Sequence, residues 1–299
     1  MDQTNPNGYS FVNEPQDYFA TVIGIGELGI AVMDDMYKQG VKDLHAVVIT
    51  NNQPLLAASP VPTKMLLDEQ ELESDDLKKE IIDGVLTALG PVFILVNDQD
   101  AISCRFALLL ARCVQEKGLP CVALLAQSKS DFTSPLLHEL QGLCHGVLCF
   151  DGSDPLSYPY LYRISGAIQA ILKILDNSPT GADFSQAAQL LKGTYRLAIA
   201  SASVDLTETA DQAFNNVVAA LRVEGYHGQA VERVLLLVSG YYDNLVTFSR
   251  QMDWHKQLSG LFAIDSKSAN IGFHQDRWLY DSITLTLLLW MPINEAPAI

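Results

Sequence analysis

The chain has 299 residues, 48% of them hydrophobic, enough to bury a full core and to build two domains. Its 19 Lys and Arg against 35 Asp and Glu leave a formal net charge of −16, a surface that repels nucleic-acid backbones and acidic lipids, so a nucleic-acid partner is not expected. The longest apolar runs, Phe106–Ala111 and Leu285–Met291, fall far short of the roughly 18–20 residues that span a bilayer, and no basic, apolar leader opens the sequence; a cytoplasmic protein without direct membrane insertion is expected.

Residues 1–16 are polar, with Pro6, Gly8 and Pro15, and read as a loose lead-in. A buried strand follows at 19–25, then a glycine turn, a helix from about Ile30 to Gln39 closed by Gly40, and a strand at 45–50. Strand, turn, helix and parallel strand within about thirty residues make a βαβ unit. The alternation continues with helices at 80–89, 106–118 and 134–143 and strands at 91–96, 120–126 and 145–150. Apolar strands separated by helices predict the α/β class, a doubly wound parallel sheet that binds ligands at the carboxyl ends of its strands.

From 160 to 175 apolar residues recur at helical spacing, and Asp176-Asn177-Ser178-Pro179 ends the pattern, which predicts a long buried helix. Beyond Gly181 the spacing predicts strands at 194–203, 233–240, 261–265 and 282–290, with helices near 208–223 and 244–258. The expected organisation is a loose segment at 1–16, a nucleotide-binding-like domain at 17–158, a central helix at 159–180 and a second, α+β domain at 181–299.

Five cysteines, at 104, 113, 121, 144 and 149, show no C-x-x-C pair and no zinc-type histidine spacing, so they read as reduced, mostly buried thiols. Cys144-His145 reads as packing rather than as a ligand pair. No G-x-S-x-G elbow is present, and six scattered histidines offer no partner set for a nucleophile.

The stretch Gly24-x-Gly26-x-x-Gly29 sits where a strand turns into a helix, the place and spacing of a dinucleotide fingerprint. That reading requires an Asp or Glu at the end of the second strand to hold the ribose. Here the strand ends Thr50-Asn51-Asn52, so an NAD(P)-dependent oxidoreductase is a secondary reading. The three glycines also fit a purely steric role, since a tight strand-to-helix turn needs them without any ligand.

Specific segments carry a resemblance to the tubulin/FtsZ superfamily. Residues 22–29 (VIGIGELG) are similar to its first glycine loop, and 46–56 (AVVITNNQPLL) resemble its A-V-N-T-D-x-Q-x-L stretch. Residues 109–125 look like the helix and strand after its phosphate loop. Residues 181–203 resemble its N-x-D-F-x-D loop, helix and strand, 211–221 with 233–240 its next helix and strand, and 269–288 its A-N-I-x-F-G strand and last strand. The similarity runs in order from about residue 20 to residue 290.

The departures fall where that family handles GTP. Its G-G-G-T-G-T-G loop, whose amides wrap the phosphates, is replaced by Asn97-Asp98-Gln99-Asp100-Ala101-Ile102-Ser103-Cys104-Arg105, without a glycine. The preceding loop carries Asp68, Glu69, Glu71, Glu73, Asp75 and Asp76, although Ser74-Asp75-Asp76 is also an ordinary helix start. In the loop that activates water on a neighbour's nucleotide, Asp183 matches the first acid, but Gly181 and Gln186 replace the Asn and the second Asp. Asp183 also fits the cap of a following helix.

The resemblance therefore implies an FtsZ-like protein that has lost GTP binding and hydrolysis. It would act by self-assembly, as a homo-oligomer, or as a partner of an FtsZ-type filament in cell division, with no cofactor and no metal. The alternative is a GTPase with a rearranged phosphate loop that binds GTP or GDP. Gly24, Gly26, Gly29, Asn51, Asn97 and Ser103 are then the nucleotide-binding candidates. Asp98, Gln99, Asp100, Ala101 and Arg105 are the altered phosphate-loop positions.

Overall fold

The computed structural model describes residues 20–41, 44–72, 74–87, 90–127, 134–151, 156–176, 191–223, 226–249, 253–275, 279 and 281–293. The chain divides into two compact units, Met1–Ser165 with Leu191–Thr194, and Gly166–Leu190 with Tyr195–Ile299.

The first unit contains strands β1 (Ala20–Ile25), β2 (Leu44–Thr50), β3 (Thr63–Leu66), β4 (Val92–Asn97), β5 (Cys121–Gln127) and β6 (Gly146–Asp151), in the order β3-β2-β1-β4-β5-β6 and all parallel. β1 and β5 are buried along their whole length, as continuous apolar strands covered on both faces must be. The connecting helices are α1 (Gly26–Lys38), α2 (Gln53–Ala58), α3 (Asp75–Glu80), α4 (Ala101–Glu116) and α5 (Pro135–Leu143), followed by α6 (Tyr158–Asp176). The doubly wound parallel sheet expected from the sequence is present.

α1 begins at Gly26, directly on β1, four residues earlier than its apolar pattern predicts. Gly26 adopts φ +72°, and Gly24 and Gly29 bring strand and helix backbones into contact. A Cβ on Gly24 would lie 2.3 Å from the Gly29 carbonyl oxygen, and one on Gly29 would lie 2.5 Å from the Gly24 carbonyl carbon. These two glycines thus have a packing reason that needs no ligand.

The predicted helix at 80–89 starts earlier, because the Ser74 hydroxyl accepts from the Leu77 amide at 3.0 Å and caps α3. It continues as a π-turn over Ile81–Val85, where the Leu86 amide donates to the Ile81 carbonyl. The Lys117 ammonium donates to the carbonyls of Ile82 and Leu86, a cation at the negative end of the turn. The short elements α2 and β3 are too brief to leave a periodic trace.

The second unit contains β7 (Gly193–Asp205) from Tyr195 onward, β8 (Arg233–Gly240), β9 (Ala269–Gln275) and β10 (Ser282–Pro292), in the order β7-β10-β8-β9. β10 runs antiparallel to β7 and β8, whereas β9 is parallel to β8. Ile283, Leu285, Leu287, Leu289 and Met291 alternate along β10 into a core shared with Ala213, Phe214, Val217 and Leu221 of α7 (Ala210–Val223). The predicted helix at 244–258 is two, α8 (Tyr242–Ser249) and α9 (Trp254–Phe262).

The predicted strand at 261–265 is not formed. Trp254, Leu258 and Phe262 recur every four residues on the buried side of α9, so Leu261 and Phe262 belong to its last turn, and Ala263, at φ 53°, ends it. The strand forms later, at β9.

Gly29→Ala should cost roughly 3 kcal/mol in denaturant unfolding whether or not nucleotide is added, because its methyl group meets backbone that cannot rotate away. His45 on β2 is buried, with its Nε2 3.5 Å from the Thr63 hydroxyl, and burial lowers its pKa despite a hydrogen bond involving the Val85 backbone. The folded state therefore holds His45 neutral, and stability is lost as the pH falls through about 6.5, where the unfolded chain takes up the proton. Comparing unfolding midpoints at pH 7.5 and 5.5, His45→Gln should lose less stability than the parent chain, with a difference of up to about 1.4 kcal/mol per pH unit.

Candidate functional site: the crevice between β1 and β4

In a sheet of order 3-2-1-4-5-6, successive connections leave β1 on opposite sides, which opens a crevice between the carboxyl ends of β1 and β4. Two helices start there: α1 at Gly26, straight from β1, and α4 at Ala101, after the three residues 98–100 that follow β4. A pair of helix N-termini presents amide hydrogens and positive dipole ends, the physical basis of phosphate binding.

In this chain the anion at α4 is the protein's own. Asp100 is the N-cap: its Oδ1 accepts from the Ile102 amide at 3.1 Å, and its Oδ2 accepts from the Ser103 hydroxyl at 2.5 Å. A Cβ built on Gly26 would lie 2.6 Å from Ser103 Oγ and 3.4 Å from Asp100 Oδ2, so the Asp100–Ser103 pair rests against the Gly26 turn.

Three further amides of this segment are also engaged. The Asp98 amide donates to the Ala126 carbonyl at 3.1 Å, continuing the β4–β5 ladder, and the Gln99 amide donates to Asn97 Oδ1 at 3.1 Å. The Cys104 amide donates to the Asp100 carbonyl at 2.9 Å, the first turn of α4. Four amides between 97 and 105, those of Asp98, Gln99, Ile102 and Cys104, are thus spent within the protein.

The sequence places Asn97–Arg105 in a loop and starts the helix at 106; α4 instead starts at Ala101. The missed signal is the Asp100 cap, an acid immediately before an apolar helical repeat. Arg105 extends from the first turn of α4 to Glu69 at 3.4 Å, which ties the acidic segment to this crevice. Asp68 caps the turn at Glu69–Glu71 by accepting from the Gln70 amide at 2.9 Å, and Asp75 pairs with Lys78 at 3.1 Å. Part of the acidic run is therefore capping.

The crevice is electronegative. The Cys104 thiol is pushed up to about 11, first by burial and then by the charges of Asp98 and Asp100. The Cys149 thiol on β6 is raised as well, first by burial and then by Asp98.

Among the sequence-predicted positions, Gly24, Gly26, Gly29, Asn97, Ala101, Ser103 and Arg105 belong to β1, β4 and the starts of α1 and α4, and Asp98, Gln99 and Asp100 form the turn between β4 and α4. Ser103 is buried, while Gln99, Ala101 and Arg105 are exposed. Asn51 is exposed at the end of β2, and its neighbour Asn52 caps α2 by accepting from the Leu55 amide at 3.2 Å. Asp183, with Gly181 and Gln186, lies outside the described residues. Among the described residues no group of three or more His, Cys, Asp or Glu is placed to hold a metal ion, and no helix is long and apolar enough to cross a membrane.

No family model matches the chain, and no curated protein matches it by sequence. Solved structures do. A point mutant of FtsZ from M. jannaschii aligns with 91% of this chain and 90% of its own at 14% identity, with a TM-score of 0.69. CetZ1 from Haloferax volcanii, a GDP-bound monomer, aligns over 90% and 93% at 16% identity and a TM-score of 0.62. GDP-form protofilaments of TubZ from Bacillus thuringiensis serovar israelensis align over 92% and 90% at 12% identity and a TM-score of 0.64. The chain has the tubulin/FtsZ fold.

Proposed function

We propose that this chain is a tubulin/FtsZ-like protein that does not use GTP, and that it acts by association with copies of itself or with a related filament. The observation that carries this reading is the Asp100 carboxylate, held by the Ile102 amide and the Ser103 hydroxyl beside Gly26. Its charge stands where the fold would offer a helix N-terminus to a phosphate.

Magnitudes support the reading. A micromolar nucleotide is held by about 8 kcal/mol in total, and each charge-assisted bond from an amide contributes about 1.5–3 kcal/mol. Amides already satisfied by Asn97, Asp100 and Ala126 cannot be recruited without breaking the α4 cap and the end of the β4–β5 ladder. A carboxylate about 5 Å from a phosphate adds a penalty of roughly 3 kcal/mol at an effective dielectric near 20. Two such effects remove most of the affinity.

Association is the function that the retained frame can still perform when the donors at its crevice are committed to the protein itself. Head-to-tail contacts between identical copies propagate into open filaments. One similar structure is a protofilament form of TubZ and another is an FtsZ dimer, which is the support the neighbours lend to a homo-oligomer. A net charge of −16 opposes self-association at low ionic strength, so assembly should strengthen with salt.

Sedimentation of the purified chain across concentration and salt tests this. Oligomers are expected without nucleotide and unchanged by added GTP; a monomer under all conditions, or assembly that appears only with GTP, would contradict the reading. A second test removes the carboxylates. Asp100→Gly keeps a tolerated N-cap residue, and combined with Asp98→Asn it should tighten binding of a fluorescent GTP analogue by about tenfold or more over the parent chain. Equal or weaker binding would place the block elsewhere.

A further inference from the structure

Two of the five cysteines stand together at the other end of the sheet, away from the crevice. Cys121 is the first residue of β5, and Cys144 follows α5 just before β6. Their sulfurs are 3.4 Å apart. The backbones around them are fixed. The Cys121 amide donates to His145 Nδ1 at 3.1 Å, and the His145 amide donates back to the Cys121 carbonyl at 2.8 Å. The Cys144 amide donates to the Leu140 carbonyl at 2.8 Å, the last turn of α5. Cys121 is buried and Cys144 is half-buried, so Cys144 is the member of the pair nearer to solvent.

We propose that Cys121 and Cys144 form a reversible redox site that closes to an intramolecular disulfide on reaction with a peroxide. The reaction has two steps. The Cys144 thiolate attacks one peroxide oxygen, the O–O bond breaks, and the departing hydroxide takes up a proton as water, leaving a sulfenic acid. The Cys121 sulfur then attacks Cys144 Sγ, forming the S–S bond and releasing the sulfenic hydroxyl as a second water with the Cys121 proton. Two thiols lose two electrons, and hydrogen peroxide is reduced to two waters.

Bonding requires the sulfurs to close from 3.4 Å to about 2.05 Å, a shift that side-chain torsions can supply with the backbone held in place. The other thiols are poorer candidates. Cys113 and Cys149 are buried, and the Cys104 thiol is held up near 11 by burial and by Asp98 and Asp100, which keeps it protonated at neutral pH. The hydrogen bond to Cys144 and then burial also raise the Cys121 thiol, which leaves Cys144 to make the first attack.

The test uses reduced full-length protein and a small excess of hydrogen peroxide, followed by an alkylating quench, non-reducing digestion and mass spectrometry. A Cys121–Cys144 peptide pair is expected within a monomer, with a melting temperature about 5 °C higher from the closed loop and full reversal by dithiothreitol. Cys144→Ser should abolish the link and leave Cys121 alkylable. Sulfinic acid at Cys144 beside an alkylated Cys121 would overturn the proposal, as would a link between chains or a pair involving Cys104. If Cys144→Ser fails to fold, the peptide map of the parent chain decides alone.

Discussion

A carboxylate held at the start of α4 governs what this fold can do. The Asp100 side chain accepts from one amide and one hydroxyl of its own helix and rests against the left-handed turn at Gly26. Those contacts start α4 at Ala101 and give the positive end of the helix an anion that cannot dissociate. An external phosphate would have to displace a tethered group whose local concentration is set by covalent geometry. It would do so against the charge of Asp98.

The glycines at the crevice mislead when read as a binding motif alone. Gly24 and Gly29 touch backbone to backbone, and either one as alanine would place a methyl group within 2.5 Å of the other's main chain. Close packing of β1 on α1 requires them even without a ligand. Gly26 is needed for its positive φ and because Ser103 lies directly above it. A fingerprint can therefore persist through sterics after the donors opposite it have been committed elsewhere.

Much of the fold was legible because its signals are local. Buried parallel strands such as Ala20–Ile25 and Cys121–Gln127 read as unbroken apolar runs, and α4 and α7 show helical periods. The errors came where two readings compete. Leu261 and Phe262 look like a strand until Trp254 and Leu258 are counted with them at a helical interval. The apolar period alone starts α4 at 106, too late, because Ser103 and Arg105 interrupt it, although Asp100 is an ordinary cap. The Asp100–Ser103 bond could be anticipated from its three-residue spacing, but its seat against Gly26 depends on strand order and had no linear signal. The same holds for Cys121 and Cys144, which lie 23 positions apart and meet only because β5 and β6 are neighbours.

Calorimetric titration of the unmodified chain with GTP and with GDP measures the nucleotide affinity that the Asp100 cap is proposed to remove. No saturable heat is expected, with any dissociation constant weaker than about 1 mM, equivalent to less than about 4 kcal/mol. A micromolar dissociation constant for either nucleotide would contradict that expectation.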